Sequence, residues 1–280
     1  MKLARYSADG AAPRIGVVQG DRLIDAGVEV TMRDLIGAWD QMKAQVEARC
    51  AGARGRPLSE VRLLAPIARP GKIFAIGLNY ADHIAESGAE TPKDQVWFAK
   101  APTAVNGPFA PVQLPKVADT VDYEVEMVVV IGVGGRHIPR ESALDHVFGF
   151  CVGNDVTERS WQHRTGQWTL GKSFDTHAPF GPWITTRDEV GDPHALALIC
   201  TVNGEIRQES NTRQLVFNVL DQLAYLSQAM TLEPGDLIFT GTPGGVGAAM
   251  TPRRFLTAGD VVRCEIEGLG FIENRFEPEV

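Results

Sequence analysis

The sequence predicts an α+β chain dominated by β-structure. Three observations carry that expectation. The apolar runs are short and bounded by turn residues, 29 glycines and 17 prolines punctuate 280 residues, and helical spacing of apolar positions is confined to a few stretches. The length suits two units, a small N-terminal α/β domain over 1–68 and a larger domain over 69–280.

In the first unit KLARYS reads as a strand, and RIGVVQG followed by DRLIDAG reads as a hairpin turning at Gly20-Asp21. Thr31 is placed to cap a helix reaching Glu47, because Leu35, Ile36, Trp39, Met42 and Val46 recur at helical spacing. ARGRPLSE and then APIARPG, residues 65–71, punctuate the chain and mark the boundary. Beyond it KIFAIG, EVEMVVVIG, VFGFCVGND, ALALICTVNG, DLIFTG and DVVRCEIEG read as strands. Two stretches read as helices: Asn79 to Ser87, closed by Gly88, and Arg213 to Met230, with Val216, Leu220 and Leu223 along one side.

A formal net charge of -8 without a lysine or arginine run argues against nucleic acid or an anionic membrane as the main partner. Cys50, Cys151, Cys200 and Cys264 lie far apart with no C-x-x-C pair, so reduced, buried thiols are expected. MKLARYSADG lacks the apolar stretch of a secretory signal, and the run Met127 to Ile131 is far below the ~20 residues that span a bilayer. A cytoplasmic protein is expected. The patterns G-x-S-x-G, S-x-x-K, H-E-x-x-H and G-x-G-x-x-G are absent, which removes the signatures of serine nucleophiles, zinc peptidases and dinucleotide sites.

The segment Asp122 to Ile131 is the most informative. As a strand it places Asp122, Glu124 and Glu126 on one face and Tyr123, Val125 and Met127 on the other. Same-face neighbours are ~7 Å apart, and anions at that spacing beside a core-bound run are costly unless a cation or protons neutralise them. E-x-E alone more often marks a solvated strand face; the aliphatic continuation draws this one inward. Asp155 follows the strand-like FGFCVGN, where a helix cap is the ordinary alternative. Three carboxylates without a Cys or His pair describe a site for a hard divalent ion: Mg²⁺ first, then Mn²⁺ or Ca²⁺.

His83 and Glu86, three apart, share a helix face, as a base oriented by a carboxylate or as a plain surface pair. Gly77 and Gly88 flank them and suit a moving lid. Lys172, among Trp168, Leu170 and Phe174, either snorkels to solvent or is aimed at an anion in a cleft. The glycines of GTPGGVG, residues 241–247, offer backbone N–H groups to an anion, with the Thr242 hydroxyl as a further donor; a tight turn explains them equally well.

Taken together, GLNYADHIAES, VWFAKAPTAVNGP, DYEVEMVVVIG, GFCVGNDVTER, GKSFDTHAPFGPW and LEPGDLIFTGTPGGVG, in this order across residues 71–247, resemble the fumarylacetoacetate hydrolase family. LTAGDVVRCEIEGLG fits that family's closing hairpin. The resemblance implies a mixed β-sandwich roll as the catalytic domain and a homodimer. It implies Mg²⁺ or Mn²⁺ on Glu124, Glu126 and Asp155, a catalytic His83, Glu86 and Lys172, and a substrate-binding Thr242 beside Gly241, with Lys100 near the site.

Family reactions share an enolate of a 2-oxo acid held by the metal. The resemblance puts first the hydrolysis of the C–C bond of a 2,4-dioxo acid, of the acylpyruvate or fumarylpyruvate type, to pyruvate and a carboxylic acid. The alternatives are an isomerase of hydroxymuconate-type diacids or an oxaloacetate decarboxylase on the same residues, and a non-catalytic dicarboxylate-binding protein. Residues 87–95 and 161–168 are expected to wall the substrate's tail, with Arg159, Gln162 and Arg164 as candidates for a second carboxylate.

Overall fold

Strand Val125–Ile131 is built from β-branched and aliphatic residues, and every one of its residues is buried. Its odd positions, Val125, Met127, Val129 and Ile131, enter one apolar cluster, while Val128 and Val130 enter a second on the opposite face. Burial on both faces is why the run is continuously apolar rather than alternating.

The computed structural model describes residues 1–88 and 90–280. Among them a 12-stranded mixed sheet runs Arg56–Pro57, Arg22–Asp25, Arg14–Gln19, Lys2–Ser7, Ala178–Thr186, Val147–Asn154, Val125–Ile131, Leu237–Phe239, Ile73–Gly77, Val96–Ala99, with Arg62–Leu64 and Val105–Asn106 paired off this path. A five-stranded sheet of Glu205–Asn211, Ala197–Val202, Val261–Ile266, Gly270–Pro278 and Val112–Leu114 packs on it. Leu198, Cys200, Val262, Ile266, Ile272 and Phe276 of the smaller sheet share a cluster with the odd residues of Val125–Ile131. The β-dominated α+β fold read from the sequence is the observed one.

The N-terminal hairpin turns at Gly20, φ +59°, with Gln19 opposite Arg22. Its helix differs from the expected one. Thr31 caps Met32–Gly37 in a capping box with Asp34, but Ala38 leaves the helical region and a second helix, Trp39–Cys50, follows, with Trp39 edge-on to Phe148. The helix expected from Arg213 begins only at Val219 and runs to Ala229. Two asparagines explain the delay. Asn79 accepts from Phe217 N at 2.8 Å and donates to Phe217 O at 3.0 Å, holding that stretch out of the helix, and Asn218 then forms a capping box with Asp221.

Residues 1–68 join the rest without a break in sheet or core. Lys2 pairs with Thr185 and Leu3 with Ile184, and Leu3, Ile15, Leu35 and Val46 pack with Val128, Phe148 and Phe180. All four cysteines are buried and free, with Cys200 opposite Cys264 at 3.9 Å between sulfurs. No described helix is long and apolar enough to cross a membrane.

Candidate active site

The strand carrying the carboxylates starts later than the sequence suggests. Asp122 ends the short strand Val121–Asp122, Tyr123 and Glu124 form a break, and the long strand begins at Val125. Glu124 is held in that break by its own backbone: its N–H donates to Asn154 Oδ1 at 2.9 Å, and its carbonyl accepts from Asp155 N at 2.9 Å. These two bonds bring Glu124 beside Asp155. Glu126, on the first turn of the pleat, completes a group in which ligand oxygens of Glu124, Glu126 and Asp155 lie within 4.8 Å of one another, all buried.

Asp122 does not join them. Its carboxylate accepts from Gly247 N at 2.8 Å, Ala248 N at 3.0 Å and Arg159 Nε at 2.9 Å, so it anchors the glycine loop.

Cations surround the three acids. Lys172 Nζ lies 2.7 Å from both Glu124 Oε2 and Asp155 Oδ2, Lys100 Nζ lies 2.5 Å from Asp155 Oδ1, and Arg159 Nη1 lies 2.7 Å from Glu124 Oε1. Burial pushes the Glu124 carboxyl up, but Lys172 and Arg159 outweigh it and hold Glu124 below the usual range. Burial pulls the Lys172 ammonium down, yet Asp155 and Glu124 raise it overall, so it is charged. Lys100 goes the other way, lowered chiefly by burial.

Glu126 is the exception. It receives a hydrogen bond from Gly241 N at 2.8 Å and has no ion pair among the described residues. Burial, then Asp155 and Glu124, push its pKa well above the carboxylate range. Among the described residues, the four carboxylates Asp122, Glu124, Glu126 and Asp155 have three ion-pair partners, Lys100, Lys172 and Arg159, and the unmatched charge falls on Glu126. A hard divalent cation among the three oxygen donors would supply the missing charge, so the residues present fit Mg²⁺ or Mn²⁺.

Glu124 and Glu126 open onto a cavity of about 570 Å³ that is also lined by His83, Lys172, Trp168 and Thr242, with Asp155 buried behind them. His83 and Glu86 lie on helix Ala81–Ser87, with Nδ1 3.4 Å from Glu86 Oε2. Glu86 also accepts from Gly245 N, 3.0 Å from each carboxylate oxygen, so the pair is tied to the glycine loop. Gly88 closes the helix at φ +65°. At Gly77 a Cβ would lie 2.3 Å from the Trp168 ring, so the bareness of this residue lets Trp168 lie against the strand.

Several expected contacts are reassigned. Thr242 Oγ1 donates to Val125 O at 3.0 Å and accepts from Gln208 Nε2 at 2.9 Å, so its hydroxyl proton is engaged within the protein, although the residue lines the cavity. The Gly241 N–H is likewise taken, by Glu126. Lys100 is wholly buried behind Asp155, outside the cavity lining, and acts on that carboxylate rather than on a substrate. Of the two readings of Lys172, snorkelling is wrong: its side chain is 2% exposed and held between carboxylates, 4.8 Å above the Phe98 ring.

Arg159 is not legible in the sequence as a partner of the acids, nor Gln208 as the partner of Thr242. Arg159 reaches Asp122 because strand Thr157–Glu158 pairs with Val121–Asp122, a long-range contact that leaves no local pattern. Of the tail wall, Gln162, His163 and Trp168 line the cavity. In the 87–95 stretch, residue 89 and the Ser87 side chain lie outside the described residues, and none of the others lines it.

Comparison with known proteins gives the family of the chain. The family described as "Fumarylacetoacetate (FAA) hydrolase C-terminal" matches residues 72–277. The chain belongs to the fumarylacetoacetate hydrolase family. A further family, described as "Rv2993c-like, N-terminal", matches residues 1–66.

Among its relatives, the mitochondrial oxaloacetate tautomerase Fahd2a of Rattus norvegicus is 50% identical over 220 residues, covering 78% of this chain and 70% of that protein. Maleylpyruvate hydrolase from Sphingobium sp. SYK-6, solved in complex with manganese(II) ion and pyruvate, is 34% identical with a TM-score of 0.86 over the whole of both chains. The 5-carboxymethyl-2-hydroxymuconate delta-isomerase from Mycobacterium smegmatis is 35% identical with a TM-score of 0.81, again over both whole chains. Relatives of this chain are thus named as tautomerases, hydrolases and isomerases.

Proposed function

We propose that this protein is a divalent-metal-dependent acid–base enzyme that interconverts the keto and enol forms of a small 2-oxo dicarboxylic acid of the oxaloacetate type. The observation that carries the reading is the convergence of three buried carboxylates, one of them without a cation, beside a cavity that also holds a carboxylate-held histidine. The 50% identity to an oxaloacetate tautomerase favours tautomerisation over the other reactions on such a site.

Glu124, Glu126 and Asp155 would hold Mg²⁺ or Mn²⁺, and what the cation supplies is Lewis acidity toward the 2-oxo and carboxylate oxygens, which makes the C3 hydrogens more acidic. The rest belongs to the chain. Glu86 orients His83 through Nδ1, leaving Nε2 to take a proton from C3 and return it to the 2-oxo oxygen. Lys172 has two ammonium protons committed to Glu124 and Asp155 and a third free to steady the charge developing on that oxygen. Trp168 and Phe98 wall the cavity and limit water.

Hydrolysis of a 2,4-dioxo acid is the second reading. The same His83 could take its proton from water, and the maleylpyruvate hydrolase is similar over its whole length. One experiment separates the readings: incubate the protein and Mg²⁺ with the enol of oxaloacetate and with an acylpyruvate, and follow enol loss, pyruvate and CO₂. Tautomerisation removes enol without releasing pyruvate or CO₂, and His83→Ala slows it by about 10²- to 10⁴-fold. Pyruvate from the acylpyruvate with no effect on enol loss would overturn the first reading in favour of the second.

A further inference from the structure

The cavity holds a cation that none of the preceding chemistry uses. Arg253 lines it, is exposed, and has no ion pair or hydrogen bond among the described residues. The other cations are accounted for: Arg159 is bound to Asp122 and Glu124, Lys172 to Glu124 and Asp155, and Arg164 lies outside the lining, stacked 4.0 Å over the Trp161 ring. His163, beside it in the lining, adds no charge at neutral pH. Burial, then Arg159 and Arg253, lower its pKa below the usual imidazole value.

The position of Arg253 is fixed relative to the acids. It follows turn Gly247–Ala249, whose Gly247 and Ala248 N–H groups are both bound by Asp122, two residues before Glu124. Arg254 N donates to Gly247 O at 3.0 Å, so the backbone on the other side of Arg253 is pinned to the same turn. The chain therefore roots a free guanidinium on a backbone tied to the carboxylate-bearing segment, at the same cavity as the residues that would grip the 2-oxo end. A planar fork of donors matches a carboxylate.

We propose that Arg253 is the specificity-determining residue that receives the distal carboxylate of the substrate, so that the enzyme selects 2-oxo dicarboxylates over 2-oxo monocarboxylates. This rests on the acid–base reading above. It replaces Arg159 and Arg164, the arginines that the sequence offers for a second carboxylate, because the structure commits both elsewhere.

The test compares the wild type with Arg253→Gln and Arg253→Lys in the Mg²⁺-loaded protein. Exchange of C3 hydrogens for deuterium is followed by NMR on oxaloacetate and on 2-oxobutyrate, and the dissociation constants of 2-oxoglutarate and pyruvate are measured by calorimetry. The expected result is a roughly tenfold fall in the oxaloacetate over 2-oxobutyrate ratio of kcat/KM for Arg253→Gln, carried by KM, with partial recovery in Arg253→Lys. The 2-oxoglutarate over pyruvate binding ratio should shift alike. Unchanged ratios in Arg253→Gln overturn the proposal. If the wild type exchanges neither substrate, the acid–base reading fails while the binding ratio still decides the role of Arg253.

Discussion

Glu126 and His177 show how burial fixes the charge of a side chain. Glu126 is buried without a cation and is driven toward its protonated form, the state a bound metal would reverse. His177 is buried with Nε2 2.9 Å from Gln113 O and with Nδ1 unpartnered, the pattern of a neutral ring that donates through Nε2. Burial lowers its pKa to about 4. In the unfolded chain the same ring takes up a proton near pH 6.5, so the unfolded state binds more protons between pH 6.5 and 4 and stability falls as pH drops through that window. The loss attributable to His177 is about 3 kcal/mol at most. Denaturant titrations across this range should show that slope, and His177→Gln should flatten it; an equal slope in the variant would place the titration elsewhere.

At this scale the sequence exposes residues whose chemistry conflicts with their surroundings. Glu124 and Glu126 stand out because carboxylates rarely open an aliphatic strand, and His83 and Glu86 because helical spacing joins them locally. Arg159, Lys100 and Thr242 do not, since an arginine, lysine or threonine carries no mark of which distant carboxylate or carbonyl it will meet.

Among the elements, the short turns do as much as the long strands to place the site. Lys172 ends turn Thr169–Lys172, which rests on turn Arg159–Gln162 through Gly171. A Cβ at Gly171 would lie 2.3 Å from Gln162 N and 2.7 Å from Glu158 O, both backbone atoms that cannot step aside. Gly171→Ala should therefore push the two turns apart and carry Lys172 away from Glu124 and Asp155. We expect a loss of about 2 kcal/mol or more in stability and a fall in kcat, read by thermal unfolding and by enol turnover. Wild-type values for both would show that the contact is not tight. Long strands were legible because burial on two faces writes a continuous apolar run. Helix Val219–Ala229 starts later than the sequence suggests because Asn79, far away in the chain, takes up both backbone groups of Phe217.

For the whole molecule, one sheet and one of its cores run through both the N-terminal residues and the family-matched region, so the cavity floor is backed by packing from 1–68 as well. The β-dominated class was legible from punctuation and run length; the pairing of Lys2–Ser7 with Ala178–Thr186 was not, because strand order is set by contacts that local pattern does not encode. That framework delivers Glu124, Glu126 and Asp155 to a common point at the neighbouring ends of two adjacent strands. Anomalous scattering from a crystal of the protein soaked in Mn²⁺ tests this most directly. The account predicts one manganese peak per chain, in contact with all three carboxylates at the base of the cavity that holds His83. Manganese bound elsewhere, with Glu124 and Asp155 still paired to Lys100, Lys172 and Arg159 and Glu126 still without a cation, would contradict it.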